Sequence, residues 1–212
     1  MLGNIDVVKP KSVVVPGSNP GFFVKSISTA RVDNVANLVL DVVFTNSTGF
    51  EIKQRFFAPT KPYPINLNIR EGDVVIQRLE TPEQALNRQA EDLNKQLLHL
   101  FKELGLTPEE YSKGVSGASN WDDAFQKVTK LFEPKHAQIE GKLLLFRKKN
   151  SNYLNIAINN FVGNGKNKFP EYFKTGDEEI IISDYVRKRL TEIEFVNDSP
   201  SPEGNTIEQL GF

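Results

Sequence analysis

The chain has 212 residues, 39% of them hydrophobic and 25% charged, enough to build one cored domain with additional segments at its ends. It has no Cys, which excludes disulfides and Cys-bound zinc, and its two histidines, His99 and His136, are not spaced as a metal pair and read as ordinary surface or half-buried residues. The formal net charge of −1 identifies no partner by itself.

In chain order, Met1-Leu2-Gly3-Asn4-Ile5-Asp6 has neither the charged nor the apolar part of a signal peptide. No later run of about eighteen apolar residues could span a bilayer, so a cytoplasmic protein without a membrane partner is expected. Residues 1–20 carry Pro10, Pro16, Gly17 and Pro20 around Val13-Val14-Val15, the pattern of an arm that could add an edge strand. The β-formers from Phe22 to Val32, the run from Leu38 to Thr45 and the alternating segment from Phe50 to Ala58 predict a three-stranded meander. Its turns lie at Asp33-Asn34 and at Asn46-Ser47-Thr48-Gly49. Pro59, Pro62 and Pro64 then exclude regular central strand or helix, so residues 59–80 read as a long connection with one possible strand at Asp73 to Gln77.

Thr81-Pro82 with Gln84 is a capping box with proline at the first helical position. Behind it, Leu86, Ala90, Leu93, Leu97, Leu100, Phe101 and Leu104 form a helical stripe that stops at Gly105. Thr107-Pro108-Glu109-Glu110 repeats that start for a short helix, and Asn120-Trp121-Asp122-Asp123 opens a third helix, with Phe125, Val128 and Phe132 able to face inward and Pro134 ending it. Strands follow at Ile139 to Lys149 and Tyr153 to Phe161, joined through Asn150-Ser151-Asn152. Residues 162–178 read as a loop, Ile180-Ile181-Ile182 as one more strand, and Ser183-Asp184 as the cap of a short helix carrying Arg187, Lys188 and Arg189. From Asn197 the composition predicts disorder.

Three strands, a helical segment and two strands is the order of the OB-fold, a five-stranded Greek-key barrel with helices between strands three and four. The expected fold class is therefore mainly β with an α insertion. A domain at 21–196 would contain the insertion at about 82–133, with an N-terminal arm at 1–20 and an acidic tail at 197–212.

Strand alternation places Glu51, Lys53, Arg55 and Phe57 on one face of the third strand and Phe50, Ile52, Phe56 and Ala58 on the other. An aromatic ring beside two cations suits single-stranded nucleic acid, because bases stack on the ring while phosphates meet the charges. The competing reading is a solvated face with Phe57 under a loop. The first strand divides similarly, Phe23, Lys25, Ile27, Thr29 and Arg31 against Phe22, Val24, Ser26 and Ala30, and either Phe could be core. Arg147-Lys148-Lys149 and Tyr153 crowd the turn between the last two strands, which in OB-folds flanks the binding groove. No phosphate-cradling Gly-rich loop, nucleophile elbow or metal-binding histidine pair occurs, so neither enzymatic chemistry nor a cofactor is expected.

Charge divides along the chain. All 26 Lys and Arg lie at or before Arg189 together with 22 of the 27 acids, so residues 1–191 carry +4 and the last twenty-one carry −5. The end, Asp198 to Phe212, is a flexible acidic segment closing on Leu210-Gly211-Phe212, able to offer a partner an apolar plug and a carboxylate together.

From Pro20 to Phe161 the chain resembles the single-stranded DNA-binding proteins of tailed bacteriophages, and more distantly the bacterial ones. The resemblance is carried by Gly21-Phe22-Phe23, the hairpin after it, the helical segments Leu97 to Leu106 and Trp121 to Phe132, Gly141-Lys142-Leu143-Leu144-Leu145-Phe146-Arg147, and Tyr153-Leu154. It implies a barrel groove that holds DNA for replication and recombination by stacking and charge. It also implies that the acidic tail, through Leu210 and Phe212, recruits replication or recombination proteins and competes with DNA. This tail is less acidic than most in that family, and the lack of Cys excludes its zinc-bearing branch. The alternative is an assembly protein of a virus particle that uses an OB-like barrel to grip protein.

Overall fold

The computed structural model describes residue 14 and residues 17–71, 74–148, 153–157, 172–180 and 193–194. Strands β1 (Gly17–Ala30), β2 (Val39–Asn46) and β3 (Glu51–Phe56) form the expected antiparallel meander. After it come β4 (Asn66–Glu71), β5 (Val74–Leu79), α1 (Pro82–Glu103), α2 (Pro108–Val115), α3 (Trp121–Leu131), a 3-10 turn at Pro134–Gln138, β6 (Glu140–Lys148), β7 (Leu154–Ile156), β8 (Phe173–Thr175) and β9 (Ile193–Glu194). The main sheet is antiparallel with the order β3-β2-β1-β6-β7, and β8 and β9 also pair with β6. Because β3 comes within 8 Å of β7, this sheet is a nearly closed barrel.

The three α-helices among the described residues start where local chemistry satisfies their first N–H groups. Thr81 and Thr107 close full capping boxes with Gln84 and Glu110, and the Asn120 side chain accepts from the Asp123 N–H. The helices bury Leu93, Leu97, Leu100 and Phe101 from α1 and Phe125 and Val128 from α3 in the same core as Phe22, Val24, Val42 and Phe44 of the barrel. Strand β6 is buried on both faces: Leu143 and Leu145 join that core, while Leu144 and Phe146 pack with Ala157 and Ile180. Two-sided burial explains its unbroken apolar run.

The structure departs from the sequence-based expectations at four places. A bulge in β1 between Val24 and Ser26 reverses the alternation, so Ile27 is buried with Phe22 and Val24 instead of lying on the face of Phe23 and Lys25. Residues 172–175, expected in a loop, bury Tyr172 and Phe173, and Phe173–Thr175 form β8. The Tyr172 hydroxyl donates to the Gln96 carbonyl, and the Phe173 ring lies 5.4 Å from that of Phe44. His136 is buried, its Nδ1 accepting from the Glu133 N–H, so it is a core residue. Finally, the proline-rich connection leads into a two-stranded ribbon, β4-β5, which pairs with no other strand among the described residues.

That ribbon is pinned at its neck. The Glu80 N–H donates to the Ile65 carbonyl and the Ile65 N–H to Glu80 Oε2, while Arg88 of α1 donates to the buried Glu80 carboxylate at 2.9 Å and to the Tyr63 carbonyl at 2.8 Å. Gln89 extends the clamp, accepting from the Tyr63 N–H and donating to the Lys61 carbonyl.

Candidate nucleic-acid interface

Register assembles the outer face of the meander in rows. Ser28, Asp41 and Arg55 stand side by side across β1, β2 and β3, with Ser26, Val43 and Lys53 forming the next row. Lys25, at the bulge, reaches the same face. The cations expected there are not bare. Arg55 grips Asp41 with two bonds, Nε to Oδ1 at 2.7 Å and Nη2 to Oδ2 at 2.8 Å, Lys53 lies 3.5 Å from Asp41 Oδ2, and Lys25 pairs with Glu51. Three cations thus share two carboxylates, leaving the patch one positive charge in surplus.

Arg31 lies just beyond the end of β1 and binds Asp122 of α3 at 3.2 Å and the Ala36 carbonyl at 3.0 Å. Asp122 also accepts from the Leu38 N–H, so Arg31 belongs to the joint between α3 and the meander. Phe23 is half-buried. Phe57, directly after β3, is 53% exposed while Phe56 is buried. Tyr153 is 78% exposed one residue before β7, the strand that β3 approaches. Arg147 and Lys148 occupy the last two positions of β6, at the end where β7 begins. Lys149, Leu210 and Phe212 lie outside the described residues.

Sequence reasoning missed Lys61 and Tyr63. Their segment stretches along α1 through backbone groups alone, leaving both side chains exposed, with Lys61 Nζ 5.9 Å from the centre of the Tyr63 ring. The signal was present in Lys61-Pro62-Tyr63-Pro64, an aromatic and a cation between prolines that prevent sheet pairing. Among the described residues no three His, Asp or Glu side chains come together as a metal-binding group, and no helix is long and apolar enough to cross a membrane.

No family model, curated protein or solved structure matches this chain.

Asp41 governs the charge of the patch. The Arg55 hydrogen bonds hold its carboxyl below the ordinary carboxylate value against the opposing effect of burial, and the charges of Arg55 and Lys53 add to them. A carboxyl lowered in this way stabilises the fold above the unfolded value, near 4, and loses that contribution as pH falls through the folded value. Urea unfolding of wild type and Asp41→Asn between pH 3 and 7 is expected to show the variant less stable at neutral pH and without that part of the acid loss. Equal stability of the two proteins at pH 7 would contradict the pairing.

Proposed function

We propose that this chain binds single-stranded DNA with little sequence preference and performs no chemistry of its own, using the outer face of an OB-type barrel. The order β3-β2-β1-β6-β7, with β3 approaching β7, supports the OB reading, in which β6 and β7 serve as strands four and five and the helices lie in the connection before strand four. The observation that carries the functional reading is Phe57, a large aromatic ring left in solvent at the end of a strand that bears Lys53 and Arg55. Tyr63 and Tyr153 supply two more exposed rings for stacking, and Lys61 an exposed cation. The acidic end, closing on Leu210 and Phe212, is read as a hook for replication or recombination proteins in the cytoplasm of a bacterial host, attracted to the basic body when DNA is absent.

Titration of labelled poly-dT at two salt concentrations tests this reading. Affinity is expected to fall as salt rises, with a logarithmic slope of roughly −0.7 for each phosphate neutralised. The competing reading, a barrel that grips protein within an assembly, is favoured by the exposed apolar side chains of β5. It requires negligible affinity for poly-dT at either salt concentration.

A further inference from the structure

Among the described residues no strand pairs with the β4-β5 ribbon, and one of its two faces is apolar. Cross-strand pairs Leu67↔Arg78, Ile69↔Ile76 and Glu71↔Val74 put the half-buried Leu67 and Ile69 and the exposed Val74 and Ile76 in a single block. The opposite face carries Asn66, Asn68, Arg70 and Gln77, with Val75 and Leu79 among them. All six residues of β5 are exposed, and among the described residues the ribbon is hydrogen-bonded to the body at its neck. A two-stranded ribbon is marginal in water unless its apolar face is covered, and a block of exposed aliphatic side chains marks a surface that is covered in use.

The charges at the two ends of this block say what covers it. Arg78 stands at the neck end and makes no ion pair among the described residues, while register places Glu71 at the tip end of the same face. A surface with a cation at one end, an acid at the other and aliphatic residues between is complementary to itself when turned end for end. Aligned tip to tip, like charges meet; reversed, each Arg78 lies beside a Glu71. A twofold axis across the strands produces that reversal, and closed twofold pairing is the commonest form of self-association.

We infer that a second copy of this chain lays its ribbon antiparallel across the first, apolar block on apolar block, with Arg78 of each copy against Glu71 of the other. The inference does not depend on DNA binding. Because the ribbon has no strand partner among the described residues of the body, the barrel is expected to fold with or without the pairing, and the expected species is a reversible dimer.

Sedimentation equilibrium of the full chain over a range of concentrations tests it. Wild type is expected to approach twice the 23.9 kDa chain mass. Ile76→Lys is expected to remain at the single mass, with an unchanged circular dichroism spectrum and melting temperature. Glu71→Arg is expected to weaken the dimer, and Glu71→Arg combined with Arg78→Glu to restore it. Wild type at single mass at all concentrations would overturn the inference, and so would a dimer untouched by Ile76→Lys. A monomeric wild type whose poly-dT affinity is lost in Ile76→Lys would overturn it in favour of nucleic acid as the occupant.

Discussion

Phe57→Ala is expected to weaken poly-dT binding by about 5- to 150-fold, equivalent to roughly 1–3 kcal/mol for one lost base stack, with no change in melting temperature. The contrast with its neighbour makes the test sharp. Phe56 is buried in the barrel core, so Phe56→Ala leaves a cavity and lowers stability. Phe57 lies on the other side of the chain with half its surface in water and has little packing to lose. Full affinity in Phe57→Ala would remove the meander face from the binding surface, and a collapse of stability would return Phe57 to the core.

Gly141→Val is expected to cost about 3 kcal/mol of stability, read as a lowered urea midpoint with an unchanged slope. Gly141 lies where β6 is flanked by two strands at once, opposite Phe22 of β1 and Thr175 of β8. A Cβ there would sit 2.6 Å from the Lys174 carbonyl oxygen and 2.8 Å from the Phe173 ring. The first obstacle is backbone and the second is a fully buried ring against Phe44, so neither can yield without pulling β8 away from β6. A full-strength Gly141→Val protein would mean that β8 is not seated on β6.

Local chemistry made much of the fold legible. Helix starts are written in consecutive residues, such as Thr81-Pro82-Glu83-Gln84, and the structure has them within a residue of the expected positions. The meander was visible because turn residues separate its β-rich segments. The bulge at Lys25 was hidden because an extra residue in one strand is defined only by the register of its partner, Val24 opposite Phe44 and Ser26 opposite Val43. The same limit affected the site: Phe57 and Tyr153 were identified from alternation and turn position, but Asp41, Glu51 and Asp122 come to their cations across strands or from a helix far along the chain. Strand β8 lay in a Gly-, Asn- and Lys-rich region where only Tyr172-Phe173 marked burial.

The joint between α3 and the meander carries its own optical reporter. Trp121, the chain's single tryptophan, is half-buried at the first position of α3 with its ring 5.9 Å from that of Phe125, directly before the Asp122 that holds Arg31 and the Leu38 N–H. Its emission comes from this joint alone, so a shift in its wavelength reads the seating of α3 on the barrel. Nothing in the ribbon, the outer strand face or the terminal segments contributes a second indole to blur it.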